Sequence, residues 1–421
     1  MEPRSSRLAL TFIFITMLVD TIGLGIIIPV SPRLISSLTH EGMSGAARWG
    51  GMLMFVFGLM QFLCAPAIGN LSDRFGRRPV LIISLIAIGI DYLLTGLAPT
   101  IAWLFVARFL SGMAAGAYST ANAYIADVSP PENRAANFGL TGAAFGIGFV
   151  LGPAIGGLLG STFGPRTPFF VSAGIAFANA AFGLLVLKES LPVERRRPFE
   201  FLRANPLGSL KAIRRYPMLI GLVGVVVLMR FAHDANPATW TYYTMLKFNW
   251  TPAQVGYSLM GVGILVAGVM GVLTRAVIPR IGENWAVALG LFCEAAGFLG
   301  YALATQGWML YGWMVVWSLS GLAGPGLQGL MSRQVSASEQ GELQGALASV
   351  GSLTSVIAPV ALTNVFSYFT SARAPVYFPG AAFLAASVCC LAGLVVFVGT
   401  RPRTRAEPAP AKGLIGTLES G

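Results

Sequence analysis

The chain has 421 residues, of which 55% are hydrophobic and only 11% charged, where a soluble domain carries roughly 25% charged residues. With a mean hydropathy of +0.71, such a chain cannot cover a water-facing surface, so its solvent is lipid along most of its length. The formal net charge of +11 would suit a nucleic-acid binder. The basic residues instead fall in short clusters between apolar runs, which is the pattern of the positive-inside rule, so the expected partner is a lipid bilayer and no nucleic acid.

A membrane-spanning helix needs about 20 apolar residues. Twelve such runs are predicted, over 8–30, 50–70, 79–98, 101–123, 138–160, 167–187, 217–242, 253–275, 285–304, 308–330, 344–368 and 375–399. The first is too long for the core of a signal peptide and lacks a small-residue cleavage site. Even-numbered crossing places both termini on one side. Of the 28 Lys and Arg residues, 21 fall in the termini and the loops of that side, among them Arg74, Arg77, Arg78 and the cluster Arg195-Arg196-Arg197. Only Arg33, Arg48, Arg166, Lys247 and Arg373 fall on the other side. Both termini are therefore expected in the cytoplasm. The expected localisation is the plasma membrane of a bacterium, the inner one where there are two.

The longest polar stretch splits the chain in two. The expected organisation is a six-span bundle over 1–187, a cytoplasmic linker with a surface helix over 188–216, a second six-span bundle over 217–400, and a disordered tail over 401–421 rich in Pro, Ala and charge. The halves repeat. Val128-Ser129-x-x-Glu132 is followed by Gly139 and then Pro153; Val335-Ser336-x-x-Glu339 is followed by Gly345 and then Pro359, at the same spacing. Both Ser/Glu pairs fit a capping box that opens a helix. Parallel six-span repeats belong to the major facilitator fold, an all-α membrane protein with a pseudo-two-fold axis and a central cavity.

Ionisable groups in a bilayer core cost about 2.5–3.5 kcal/mol each on insertion scales, so those present are candidates for function. They are Asp20 in span 1, Asp91 in span 3, Arg108 in span 4, Arg230, His233 and Asp234 in span 7, and Glu294 in span 9, with Asp127 at the end of span 4. Asp91 and Arg108 lie at similar distances on either side of the turn at Pro99-Thr100, which predicts an ion pair. That pair is either structural or a switch broken by proton binding. Asp20 and Glu294 lack local basic partners; each is a proton carrier or a helix-packing acid. Arg230, His233 and Asp234 fall at i, i+3 and i+4, on one stripe, with Pro237 expected to break the helix beyond them. His233 is either a packing residue or part of a transport site.

The loop between spans 2 and 3 reads Gly69-x-x-x-Asp73-Arg74-x-Gly76-Arg77-Arg78. It exceeds what topology needs, and Asp73 is placed to cap a helix N-terminus. Span 5 carries Gly148-x-x-x-Gly152-Pro153-x-x-Gly156-Gly157, small residues that permit close helix contact. Gly324-x-Gly326-x-x-Gly329 matches a dinucleotide fingerprint but sits in a membrane span with no strand before it. No Walker loop, nucleophile elbow or metal-ligand cluster is found, so neither an enzyme nor an ATP-driven pump is expected. Cys64, Cys293, Cys389 and Cys390 lie in apolar runs and read as small buried residues.

Together these residues resemble the major facilitator superfamily in its twelve-span drug:proton antiporter branch. Residues 69–78 match its motif A, Arg108 its motif B arginine, and residues 148–157 its antiporter motif C. Within the branch the chain looks like the tetracycline-efflux family, on Asp20-Thr21-Ile22-Gly23, Leu59-Met60-Gln61-Phe62, Tyr124-Ile125-Ala126-Asp127 and Leu330-x-Ser332-Arg333. The resemblance implies a rocker-switch exporter. Asp20, Asp91, Arg108 and Glu294 would couple protons. Gln61 would line the cavity, and Asp20 and Glu294 would also bind substrate; Arg230, His233 and Asp234 are further substrate-binding candidates on their own spacing in span 7. Gly69, Asp73, Arg74, Gly76, Arg77, Arg78, Asp127 and Arg134 would gate. It also implies no cofactor beyond the proton gradient, a small-molecule substrate that travels as a metal chelate if tetracycline-like, and a monomer. Two departures stand out: Glu294 replaces the usual span-9 Asp, and Val266 stands where these pumps carry a span-8 histidine. They leave tetracycline itself open. The alternatives are a permease for a small metabolite and a transporter-shaped receptor without flux.

Overall fold

The computed structural model describes residues 3–199, 217–336 and 339–400. The expected tail over 401–421, and the linker over 200–216 with its expected surface helix, lie outside the described residues. Lipid offers no partners to backbone N–H and C=O groups, so each apolar run closes its own hydrogen bonds as a helix, and no strand occurs among the described residues. The crossings are span 1 (Pro3–Ile27), span 2 (Met43–Phe75), span 3 (Arg77–Leu97), span 4 (Ile101–Ala114 and Ala117–Val128), span 5 (Arg134–Phe163) and span 6 (Thr167–Val186). The second half follows with span 7 (Pro217–His233 and Ala235–Phe248), span 8 (Pro252–Gly268 continuing through Val269–Leu273 into Thr274–Ile281) and span 9 (Glu283–Leu303). Span 10 (Gly307–Ser318, then Leu319–Leu322 and Ala323–Ser332), span 11 (Gln340–Thr370) and span 12 (Ala381–Thr400) complete it.

Eleven of these stretches are long and apolar enough to cross a membrane as one helix. The tenth, expected as a single run over 308–330, is interrupted by the 3-10 turn Leu319–Leu322. Pro325 explains the break: it offers no N–H to the carbonyl of Gly321 and its ring crowds that carbonyl. Span 4 is broken at the repeat-equivalent place, Ala115-Gly116. Span 8 carries a π-turn over Val269–Leu273, where Thr274 Oγ1 donates to the Val269 carbonyl at 2.9 Å. This turn packs against the 3-10 turn of span 10.

Length sorts the spans. Spans 3, 6, 9 and 12 have 21, 20, 21 and 20 residues, which matches a bilayer core of about 30 Å at about 1.5 Å per residue. Spans 2, 5, 8 and 11 run to 33, 30, 30 and 31 residues, longer than the core, so they tilt or project beyond it. The short spans pair with one another, 3 with 6 and 9 with 12. The long spans join the halves, 2 with 11 and 5 with 8.

The two joints close on one face only. We call the face where span 1 begins and span 12 ends the terminal face, and its opposite the distal face. At the distal face Ser44 Oγ donates to Thr370 Oγ1 at 2.7 Å between spans 2 and 11, and Ala253 N donates to Ser161 Oγ at 3.1 Å between spans 8 and 5. Below these latches glycines bring backbones together. A Cβ on Gly157 or Gly256 would run into the carbonyls of Pro252 and Pro153, and one on Gly51 would meet Thr363. Toward the terminal face the helices part: a Cβ on Gly139, Gly142 or Gly146 of span 5, on Gly268 or Gly271 of span 8, or on Gly69 of span 2 would meet open space. The molecule is thus sealed distally and open toward the terminal face.

Gly157→Val and Gly256→Val are expected to prise the distal joint apart. In protein freed of native cysteines, a cysteine at Thr21 should then label faster with an impermeant thiol reagent applied from the distal side; unchanged labelling would show that these glycines do not hold the seal.

Candidate functional site

A cavity of about 1350 Å³ lies between the halves, ample for a drug-sized molecule with water. Its N-terminal wall presents Asp20, Gln61, Asp91, Tyr92 and Arg108, and its C-terminal wall Arg230, Asp234, Tyr242, Gln328 and Gln344. Between them lie apolar side chains such as Met54, Phe57, Phe62 and Leu347. The wall is therefore amphipathic, with few charges on a greasy surface.

The expected ion pair is present. Arg108 Nη2 pairs with Asp91 Oδ2 and also reaches Thr95 Oγ1 at 3.4 Å. Asp91 is 3% exposed, so its charge depends on the arginine. Asp20 also faces the cavity. It makes no ion pair or hydrogen bond with any described residue, which leaves it open to a proton or a ligand.

The span-7 stripe is split. Arg230, Asp234 and Pro237 face the cavity, whereas His233 and Glu294 lie outside its lining. The expectation that His233 shares a face with its two neighbours is therefore corrected. His233 Nδ1 lies 3.2 Å from Glu294 Oε1 on span 9, and its ring stacks on Trp317 of span 10 at 5.3 Å. Glu294 is 1% exposed and pairs within its own half rather than across the cavity from Asp20. The reason is helical geometry: adjacent residues stand about 100° apart, so His233 and Asp234 face different ways, and Pro237 removes the bond that would end on the His233 carbonyl, where the helix stops at His233 and restarts at Ala235.

The loop between spans 2 and 3 forms a charged cluster on the terminal face. Arg77 bridges Asp73 at 2.6 Å and Asp127 at 3.2 Å, and its Nη1 donates to Ser72 Oγ at 2.5 Å. Arg78 Nη2 donates to the Leu184 carbonyl at 2.7 Å and Arg134 Nη2 to the Ala126 carbonyl at 3.2 Å. Arg74 stacks on Phe75. Asp73 was expected to cap a helix N-terminus, but Glu189 does so: its carboxylate accepts from the backbone N–H of Arg77 at 2.8 Å and of Arg78 at 3.2 Å. Gly76, at φ 104°, passes so close to Glu189 that any Cβ would meet that carboxylate. Ser190 Oγ donates to Asp127 at 3.1 Å, so the start of the linker is tied to the loop.

The second half repeats this contact with its charges exchanged. Arg77 and Asp127 are 50 residues apart; Glu283 and Arg333, also 50 apart, pair at 2.8 Å at the equivalent helix ends. The expected capping boxes differ too. The Ser336 N–H and Oγ donate to Glu339 Oε2 at 3.1 and 2.6 Å, while Ser129 Oγ accepts from Asn137 at 2.8 Å. The span-5 glycines are packing surfaces. A Cβ on Gly148 would sit 2.7 Å from Thr21, and one on Gly152 2.7 Å from the Ile22 carbonyl, while Gly156 and Pro153 pack on Ile26 and Gly25 of span 1.

Sequence reasoning missed Gln328, Gln344 and Glu189. The two amides were legible as polar groups inside apolar runs, a signal passed over by a search for charges alone. Glu189 carried no such signal, because it belongs to a polar stretch. Among the described residues no group of three or more His, Cys, Asp or Glu is placed to hold a metal. Glu189→Ala is expected to remove the acceptor for two N-terminal N–H groups of span 3, a loss of about 1 kcal/mol, read as a lower thermal midpoint; an unchanged midpoint would show that water caps the helix equally well.

The pattern of the Major Facilitator Superfamily matches residues 13–359. The tetracycline resistance protein, class C, of Escherichia coli is 37% identical over 362 residues, covering 86% of this chain and 90% of that one. The class G protein of Vibrio anguillarum is 35% identical over 357 residues, covering 83% and 88%. Among solved structures, the human organic anion transporter MFSD10 superposes with a TM-score of 0.66 at 24% identity over 94% of this chain and all of that one. An inward-facing bacterial homologue of the lysosomal transporter Spinster superposes with 0.73 at 17% over 95% and 96%. With two six-span halves around a central cavity and a match along most of its length, the chain belongs to the Major Facilitator Superfamily.

Proposed function

We propose that the protein exports an amphipathic, drug-like compound of the tetracycline kind in exchange for protons. The observation that carries this reading is the pairing of Asp91 with Arg108 on the wall of a cavity that is closed at one face, with unpaired Asp20 beside it. Relatives named for tetracycline resistance over most of their length support the substrate class.

The terminal face is cytoplasmic on the distribution of basic residues, so the cavity as found admits substrate from inside the cell. A proton arriving at Asp91 cancels the charge that holds Arg108, and the released guanidinium becomes available to the cavity. Substrate and proton then compete for the same acidic wall, which is the requirement of antiport: each must leave before the other can bind. Alternating access follows by rocking one half on the other about the contacts of spans 2 with 11 and 5 with 8. The loop of Asp73, Arg74, Arg77 and Arg78 approaches the second half when the terminal face closes. Glu294 with His233 provides a second acid buried within the C-terminal half. The energy source is the proton gradient, without a resident cofactor; a metal ion would travel only as a chelate of the substrate. The protein acts as a single chain in the plasma membrane.

In liposomes with an imposed pH gradient, wild-type protein is expected to accumulate tetracycline, and Asp91→Asn to abolish gradient-driven uptake while retaining binding. Gradient-driven uptake that survives in Asp91→Asn would remove Asp91 from the coupling; flux of small metabolites without any flux of tetracycline or lipophilic cations would overturn drug export.

A further inference from the structure

Of the two arginines inside the spans, one has a partner and the other does not. Arg108 is held by Asp91. Arg230 is exposed on the C-terminal wall of the cavity and has no acidic group within ion-pair distance and no side-chain hydrogen bond among the described residues. Asp234 is one turn away on the same wall, yet the pair does not close. An arginine at mid-membrane costs about 2.5–3.5 kcal/mol on insertion scales even with relief by water. Such a group usually faces a bundle interior with a partner in place. Here no acid closes on the guanidinium, Asp234 lying near it without an ion pair, and Arg230 lines the cavity where substrate passes.

We propose that Arg230 is an anion subsite of the cavity, which recognises an ionised acidic group of the substrate, a carboxylate or the enolate of a 1,3-dicarbonyl. This deepens the export reading above and rests on it for the substrate's passage, though not for anion binding itself. A guanidinium presents parallel N–H donors that match two oxygens of one anionic group, and the match is strongest where water is scarce. The opposite wall carries the complementary element, unpaired Asp20. With Asp91 paired to Arg108, the acid of the N-terminal wall and the guanidinium of the C-terminal wall that no side chain holds are Asp20 and Arg230, with the carboxylate of Asp234 one turn from the latter. A zwitterion with its charges at opposite ends satisfies both at once, whereas a purely cationic lipophile engages Asp20 and leaves Arg230 unsatisfied. Gln328 and Gln344, also on the C-terminal wall, offer neutral donors to a substrate in the same cavity. The cavity therefore selects zwitterionic amphiphiles over simple lipophilic cations.

Purified protein in detergent tests this by fluorescence titration with tetracycline in EDTA, so that its enolate oxygens are free of metal, alongside tetraphenylphosphonium as the cationic control. Arg230→Gln is expected to weaken tetracycline binding tenfold or more and leave tetraphenylphosphonium binding unchanged or tighter; Arg230→Lys, which keeps charge but loses the fork, should fall between. Equal affinity of wild type and Arg230→Gln for tetracycline, or an equal loss for both ligands, would overturn the proposal. If wild-type protein binds tetracycline neither in EDTA nor with added Mg2+, the export reading as stated fails on its own, and the subsite is judged with the anionic probe 8-anilinonaphthalene-1-sulfonate. Binding of that probe lost in Arg230→Gln sustains the subsite; binding indifferent to the substitution overturns it.

Discussion

The structure depends on one constraint: within a bilayer, a polar group must find its partner in the protein or in a water-filled space the protein encloses. Backbone groups meet it by forming helices, and the twelve crossings follow. Side chains meet it in two ways. Ser172 donates to the Gly23 carbonyl and Thr363 to that of Pro359, one bond between helices and one within a helix. The few ionisable groups either pair, as Asp91 does with Arg108 and Glu294 with His233, or face the cavity, as Asp20 and Arg230 do. The division between paired and unpaired charges separates the groups held within each half from those left facing the cavity.

The same constraint explains how the halves can move. Their joints are made from glycines and short hydroxyl side chains rather than charges. Gly51, Gly58, Gly157, Gly256 and Gly263 let backbones or small groups touch across the interface. Close contact between small residues yields dispersion without the directional commitment of an ion pair, so such a joint can open and re-form at modest cost. Charge instead gathers within each half at the terminal face, in the Arg77 cluster and the Glu283–Arg333 pair. These hold the helix ends of one half as a unit, which suits rigid-body rocking. The breaks in spans 4, 7 and 10 lie in helices that line the cavity, and the π-turn of span 8 packs against the 3-10 turn of span 10. Non-α turns in mid-helix commonly mark functional sites.

Family membership and the internal repeat agree with this picture but also show where it is particular. The two halves keep geometry while exchanging chemistry: Arg77 and Asp127 become Glu283 and Arg333 at the same spacing, and the acid of span 3 has its buried counterpart on span 9 with a histidine from a different span. A pair works in either polarity provided both members are present, so the shared frame of the two halves accommodates opposite charges at matched places.

The sequence by itself determined the solvent, the number of crossings, the division into two halves and the identity of nearly every ionisable group that matters. Each of these follows from composition along the chain, because burying a residue in lipid is a property of that residue and its immediate neighbours. Spacing about a single turn also sufficed to pair Asp91 with Arg108, since consecutive antiparallel helices share a register. What only the tertiary structure decided is which way each charge faces and which joint is closed. Arg230, His233 and Asp234 fall on one stripe by spacing, yet the positions of spans 9 and 10 send His233 to Glu294 and leave Arg230 in the cavity. Glu189 reaches the N-terminus of span 3 across 112 residues of sequence. Such partners are set by helix packing across long separations, and no local pattern encodes them.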